Sequence, residues 1–174
     1  MHKFRLLQNP LSVCAIAFSL LLALPVTVNA QRCVNPSSTQ SLTELQFGDF
    51  FKSPVGPAGL ELTETLRKAN GKIVCLVGYM VKQEAPAIGR FFLTPLPLET
   101  HEHADGEADD LPASTVMVYL DHSQKDLVIP HASGLLALEG LLSVGRREDQ
   151  EGRISWVQLQ LSPSGIKLLT KGQQ

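Results

Sequence analysis

The pattern of hydrophobic and polar residues begins with one long apolar run and continues with shorter mixed segments. The first run covers residues 11–24 and follows the basic residues Lys3 and Arg5. It has about 14 residues, whereas a membrane-spanning helix needs roughly 20. The pattern therefore predicts a signal peptide over residues 1–30 rather than a membrane anchor, with cleavage after Ala30 and export of the mature chain.

Past residue 72 the pattern becomes typical of β-strands. The runs are KIVCLVGYMV, RFFLTPLPL, STVMVYL and the hairpin GLLALEGLLSVGRREDQEGRISWVQLQL. In the last arm, Val157 and Leu159 alternate with Gln158 and Gln160, which predicts one buried face and one solvated face. The order of the elements predicts five strands with an irregular link between the third and the fourth.

Five strands in this order predict a mainly β fold, namely a five-stranded OB-like Greek-key barrel. A small two-sheet sandwich built from the same strands is the alternative. One short helix, LTETLRKANG, precedes the strands, with Thr63 as its N-cap and Gly71 just past its C-terminus. Gly78 within the first long strand predicts a bulge or a tight bend.

Cleavage leaves 144 residues, the size of one domain. We expect a flexible lead-in over 31–44, a single OB-like domain over 45–165 and a C-terminal tail over 166–174. The mature chain has 13 basic and 17 acidic residues, so its formal net charge falls from −2 to −4. An acidic chain repels phosphate backbones, which argues against a nucleic-acid partner. No second apolar run is long enough for stable membrane insertion.

Two cysteines, Cys33 and Cys75, remain after cleavage. In an oxidising compartment such a pair is typical of a disulfide, which would stabilise the fold by about 4 kcal/mol in the chain-entropy model. The alternative is that Cys75, inside an apolar run, is a buried free thiol. The sequence leaves both interpretations open.

The most distinctive polar segment is THEHADGEADDLP, residues 100–112, with two histidines and five carboxylates. Alternating imidazole and carboxylate groups in an extended segment would share one face, and such ligands suit zinc or copper. The candidate ligands are His101, His103, Asp105, His122 and His131. A solvated loop is the alternative, because charge runs usually face water. No cofactor is expected, and zinc is the one candidate.

The end of this segment has two interpretations of its own. Asp109 and Asp110 could turn the chain into the third strand, with Leu111 held in the core before Pro112. Alternatively, the two aspartates and Glu107 could be the catalytic carboxylates of a small hydrolase. We favour the structural interpretation because adjacent residues of an extended segment point in opposite directions. No catalytic sequence signature supports an enzyme.

Several segments together resemble a family of small exported bacterial proteins of unknown function. They are FGDFFKSPVGPAGLE, GKIVCLVGYMV, FFLTPLPL, ADGEADDLPASTVMVYL and GRISWVQLQL, within residues 47–161. The distinctive parts are a PVGP-GLE turn at residues 54–61 and an ADG-ADDLP run at 104–112. The resemblance implies an exported OB-like domain without an established activity. His101 and His103 lie outside the shared pattern, which puts a family-wide metal role in doubt.

Together these features predict an exported, non-enzymatic binding or accessory module of the bacterial cell envelope. Its expected partner is another exported protein or a membrane complex. The first alternative is a zinc-binding or zinc-delivery protein, and the second alternative is a small hydrolase. Tyr79 and Trp156 could stack on nucleic-acid bases, but the acidic net charge argues against that role.

Overall fold

The computed structural model describes residues 43–100, 102–103, 106–107, 111–148 and 152–162, and this part of the chain is mainly β. The strands are β1 (Thr43–Leu45), β2 (Ile73–Met80), β3 (Lys82–Gln83), β4 (Arg90–Thr94), β5 (Glu99–Thr100), β6 (Glu102–His103), β7 (Gly106–Glu107), β8 (Val116–Tyr119), β9 (Leu135–Glu148) and β10 (Ile154–Leu161). The helices are α1 (Glu64–Ala69) and two 3-10 helices, Phe47–Asp49 and His122–Gln124. The prediction of a mainly β fold is confirmed. Within the described ranges, no helix is long and apolar enough to cross a membrane.

Six strands form one sheet in the order β1-β2-β4-β8-β10-β9, and β2 also pairs with β9. The β1–β2 and β8–β10 pairs are parallel, and the other pairs of this sheet are antiparallel. The predicted hairpin is present as the antiparallel pair β9–β10. Two further pairs, β3–β5 and β6–β7, were not predicted from the sequence.

Alternating residues of the large sheet supply one main hydrophobic core. Val157 and Leu159 of β10 are fully buried, and they lie opposite Val116 and Val118 of β8. Helix α1 adds Leu66, which is also fully buried. The apolar positions that the alternation predicted to face inward therefore do so.

Gln158 departs from this alternation, because the predicted solvated residue is only 3% exposed. Its Nε2 donates hydrogen bonds to the carbonyl oxygens of Gly145, at 3.1 Å, and Ser155, at 2.9 Å. The β9–β10 register shifts between Ser155 and Val157, so backbone acceptors beside the shift need another donor. The prediction that Gln158 faces solvent is wrong because the side chain satisfies this irregular backbone.

Helix α1 begins and ends where the sequence predicts. The Thr63 hydroxyl accepts a hydrogen bond from the backbone N–H of Leu66 at 3.1 Å. Past the helix, Gly71 has a φ of +74°, which favours glycine, and its N–H donates to the Leu142 carbonyl at 2.8 Å. This hydrogen bond attaches the segment after the C-terminus of α1 to β9.

Gly78 is explained by close packing and not by a bulge. The β2–β9 register runs without a shift from Ile73 to Tyr79. A Cβ atom at Gly78 would lie 2.7 Å from the Phe47 ring and 2.8 Å from the Thr94 carbonyl oxygen. The predicted bulge is therefore wrong, and the glycine makes room for these two neighbours.

Three element boundaries differ from the prediction by small amounts. Strand β1 begins at Thr43, two residues before the predicted start of the domain, and pairs with β2. Strand β4 ends at Thr94, four residues before the end of the predicted run at Leu98. Strand β8 begins at Val116, two residues after the predicted start at Ser114.

Cys75 is buried in β2, with 3% of its surface exposed, and it is disulfide-bonded. The alternative of a free buried thiol is therefore wrong. Cys33 lies outside the described residues, so its pairing with Cys75 stays a prediction.

We expect the Cys33→Ser variant of the mature protein to lose about 4 kcal/mol of unfolding free energy, because the unfolded chain would no longer be cross-linked. Urea denaturation measures the loss, and peptide mapping without reductant should recover a Cys33–Cys75 peptide from the wild type. Reductant should lower the wild-type midpoint and leave that of the variant unchanged. Two free thiols in the oxidised wild type would contradict the pairing.

Candidate functional site

The predicted zinc ligands at the start of the carboxylate-rich segment fall mostly outside the described residues. His101 and Asp105 are not described, and His103 ends the short strand β6, which pairs with β7. Within the described ranges, no group of three histidine, cysteine or acidic residues is arranged to hold a metal ion. The zinc site therefore stays a prediction.

The other two candidate ligands, His122 and His131, have different surroundings. His122 begins a 3-10 helix and lines a pocket described below. The imidazole Nε2 of His131 lies 3.2 Å from the carbonyl oxygen of Met80, at the end of β2. Neither histidine belongs to a described metal-binding group.

The end of the carboxylate-rich segment packs against a second hydrophobic cluster, here called the outer cluster. Its members are the buried Val81, Phe92 and Met117 with the half-buried Leu98, Leu111 and Tyr119. Leu111 was expected in the core, and it packs against this smaller of the two hydrophobic clusters. After it, the backbone N–H and the hydroxyl of Thr115 donate to the Pro112 carbonyl at 2.8 and 2.6 Å. Asp109 and Asp110 lie outside the described residues, so a role for them in turning the chain stays a prediction.

Two arginines lie over aromatic rings of the outer cluster. The guanidinium carbon of Arg153 is 4.8 Å from the centre of the Phe92 ring, and that of Arg147 is 5.9 Å from the centre of the Tyr119 ring. Both distances are within cation–π range. Burial lowers the pKa of Arg153, and the nearby charge of Arg90 lowers it further. Arg90 itself lies opposite Tyr119 in the β4–β8 pairing.

Trp156 lies beside Ser155 of β10, which pairs with Arg147 of β9, and 50% of its surface is exposed. We call the combined surface the arginine–aromatic face. It consists of Arg90, Phe92, Tyr119, Arg147, Arg153 and Trp156.

The arginines of this face were not predicted from the sequence. Arg147 and Arg153 belong to the GRREDQEG turn and its flank, which was interpreted only as solvated, and Arg90 begins β4, far away in the chain. The arginine pair flanking the turn was the available signal. The predicted stacking residue Tyr79 lies on β2, between Leu135 of β9 and Thr94 of β4, and is not part of the face.

A pocket of about 280 Å³ lies where β8 ends and β4 begins. Its lining residues are Gly89, Tyr119, Leu120, Asp121, His122, Lys125 and Gln160. The Leu120 N–H donates to the Gly89 carbonyl at 2.9 Å, and the Gln160 side-chain amide donates to the Leu120 carbonyl. These bonds connect the chain segments that form the pocket wall.

Gly89 allows two segments to meet at the pocket. Its φ is +69°, and a Cβ atom there would lie 2.1 Å from the carbonyl oxygen of Lys125. Its N–H donates to the Leu127 carbonyl at 2.8 Å. Any other residue at this position would push Lys125 away and open the wall.

Asp121 supplies an ionised carboxylate at the pocket. Its Oδ1 accepts hydrogen bonds from the Ser123 backbone N–H at 3.0 Å and from the Ser123 hydroxyl at 2.6 Å. The hydroxyl is the larger cause, and the backbone N–H the second, of a pKa lowered from the usual 3.8. Because Lys125 and His122 line the same pocket, donors and acceptors occur together there.

We expect the Gly89→Ala variant to lose at least about 1 kcal/mol more stability than Gly134→Ala in urea denaturation, because overpacking adds to backbone strain. Gly134 is a matched control because its φ is +89° and nothing lies within 4 Å of an added Cβ atom. Equal losses in the two variants would contradict the close approach at Gly89.

The carboxyl group of Asp121 should titrate with a midpoint below 3.8 in carbon-13 NMR. A lowered folded-state pKa contributes stability above the unfolded-state pKa, and this contribution is lost as the pH falls through the folded-state value. Ser123→Ala should raise the midpoint toward 3.8, whereas Ser143→Ala on β9 should leave it unchanged. A wild-type midpoint at or above 3.8 would exclude the proposed hydrogen bonding.

Comparison with known proteins gives one distant structural likeness. No family model matches the sequence, and no curated protein does. The chain is similar to the crystal structure of a DUF3299 family protein from Pseudomonas aeruginosa, with 17% sequence identity and a TM-score of 0.44. The match covers 71% of this chain and 94% of the other. That protein comes from a bacterial family of uncharacterised function, and the likeness is too distant to assign a function to this chain.

Proposed function

We propose that the chain is an exported, non-enzymatic binding module of the bacterial cell envelope, built on an OB-like Greek-key barrel. Its arginine–aromatic face would bind an acidic surface of another exported protein or of a membrane complex. The observation that carries this proposal is that Arg147 and Arg153 lie over aromatic rings of the outer cluster, with Arg90 close to Arg153.

The strand pairing supports the barrel. Strands β2, β4, β8, β10 and β9 pair in that order, and β9 pairs again with β2, so the five strands follow one another in a cycle. A closed ring with an odd number of strands cannot be antiparallel throughout. The parallel β8–β10 pair fulfils this requirement. A five-stranded Greek-key ring is the arrangement expected of an OB domain.

The side chains of the face are of the kinds that dominate protein interfaces. Tryptophan, tyrosine and arginine supply most of the binding energy at such surfaces because they offer large contact areas and many donors. Trp156 is half exposed, and the guanidinium group of Arg147 lies over the Tyr119 ring. A guanidinium held against a ring loses less freedom when a partner binds.

The charge of the face indicates the charge of its partner. Burial lowers the pKa of Arg153, and the nearby positive charge of Arg90 lowers it further, so positive charges are neighbours on this face. Carboxylates of a partner would form charge-assisted hydrogen bonds with the guanidinium groups of the face. Guanidinium groups remain protonated, so this face suits binding better than proton transfer.

Site-specific photo-crosslinking in the producing bacterium tests the proposed role. A photoreactive amino acid at position 156 should give a discrete adduct, whose second component is identified by mass spectrometry as an exported protein with an acidic surface. The same amino acid at position 67, on the exposed side of α1, is the control and should not give that adduct.

The charge reversal Arg147→Glu should weaken binding to the identified protein about tenfold, as expected when about 1.4 kcal/mol of binding free energy is lost. Arg67→Glu, which changes the net charge equally at an exposed site, should leave the affinity unchanged. Equal effects of the two reversals, or the same adducts from both labelled positions, would contradict the assignment of this face.

A further inference from the structure

We propose that the pocket at the end of β8 binds a neutral, hydroxyl-rich ligand of the size of one monosaccharide, such as a single residue of an oligosaccharide. This site goes beyond the proposed partner-binding face, because its lining side chains offer a different chemistry.

The size of the pocket limits the ligand. Its volume of about 280 Å³ is just below the usual range of small-molecule sites, which begins near 300 Å³. One sugar ring fits this space, whereas a nucleotide or another larger ligand would extend well beyond it. An oligosaccharide would place one residue inside and continue over the adjoining surface.

The lining side chains match hydroxyl groups. Gln160 and His122 each carry a group that donates and a group that accepts hydrogen bonds when the imidazole is neutral. Lys125 donates, and the ionised Asp121 accepts. A sugar hydroxyl is both a donor and an acceptor, so a mixed set of this kind can satisfy several hydroxyl groups at once.

The charge of the pocket disfavours an anionic ligand. A site for phosphate or carboxylate would be lined by donors and positive charge, but here the Asp121 carboxylate accompanies the Lys125 ammonium group. That carboxylate is ionised at neutral pH, and the hydrogen bonds from Ser123 favour its charged form further, so it would repel an anion. The two opposite charges leave the pocket near neutrality.

The pocket is organised before any ligand binds. Ser123 fixes the orientation of the Asp121 carboxylate, and the Leu120 carbonyl holds the Gln160 amide. The close approach of Gly89 to Lys125 fixes the backbone of the wall. Groups that are already held in place lose little conformational entropy on binding, which favours affinity for a small polar ligand.

The location of the pocket agrees with the proposed barrel, and only this agreement rests on the proposed function. Gly89 precedes β4 and Tyr119 ends β8, which would be the second and third strands of an OB barrel. That part of OB domains binds oligosaccharides and oligonucleotides. The acidic net charge of this chain favours the uncharged class of ligand.

Saturation-transfer NMR of the mature protein with free glucose, galactose, mannose and N-acetylglucosamine tests the proposal. Glucuronate and inorganic phosphate serve as anionic probes. We expect saturation transfer to at least one neutral sugar, with a dissociation constant that Gln160→Leu and Lys125→Met each raise at least fivefold. Lys68→Met on the exposed side of α1 is the matched control and should leave the dissociation constant of the sugar unchanged. Circular dichroism checks that every variant is folded.

Two further variants separate this proposal from its alternatives. Asp121→Asn, which retains a capping side chain, should weaken neutral-sugar binding and strengthen phosphate binding. Arg153→Glu, which changes the partner-binding face over Phe92, outside the pocket lining, should leave sugar binding unchanged, so either proposal can fail without the other. The proposal is overturned if none of the four sugars receives saturation, if both pocket variants bind like the wild type, or if phosphate or glucuronate binds more tightly than every neutral sugar.

Discussion

Strand β2 pairs on two sides, and the arrangement of the sheet depends on this double pairing. Along most of its length it pairs with β9, and at Tyr79 it pairs with both Leu135 of β9 and Thr94 of β4. The two neighbours can meet there because Gly78 leaves room for the Phe47 ring and the Thr94 carbonyl. The hydroxyl of the fully buried Thr94 donates toward the Tyr79 carbonyl at 3.3 Å and to the Leu96 carbonyl at 2.8 Å. The junction therefore buries a polar side chain without leaving it unsatisfied.

The packing of the main core leaves the outward positions of the strands for binding. On β4, Phe91 and Leu93 face the main core, whereas Phe92 joins the outer cluster. The outer cluster supports the arginines, and its Tyr119 also lines the pocket. The two proposed sites are therefore neighbours with different chemistry. One is cationic and aromatic, and the other is nearly neutral and rich in hydrogen-bonding groups.

The outer cluster also gives an architectural role to both flanks of the carboxylate-rich segment. Leu98 precedes that segment and Leu111 ends it, and both contact the cluster. Strand β5 pairs with β3, where Lys82 and Glu99 form an ion pair of 3.2 Å. This ion pair is exposed and contributes little stability by itself. The apolar contacts of the two leucines attach the segment to the sheet whether or not its histidines bind zinc.

The sequence by itself determined the local features of this protein. The β-type runs, the caps of α1 at Thr63 and Gly71, and the β9–β10 hairpin all follow from periodicity and from the conformations that individual residues favour. These signals depend on neighbours within a few positions, so they are visible in the chain alone.

Only the tertiary structure decided which distant residues meet. Gln158 occupies a position that the alternation predicts to face solvent. It is buried because its amide donates a hydrogen bond to the irregular backbone of the neighbouring strand. Arg90 and Arg153 approach each other through strand pairing and not through sequence spacing. The pocket likewise joins Gly89 to Gln160, which are 71 residues apart in the sequence. Periodicity specifies which side of a strand a residue occupies, whereas the partner strand and its register depend on how the whole chain packs.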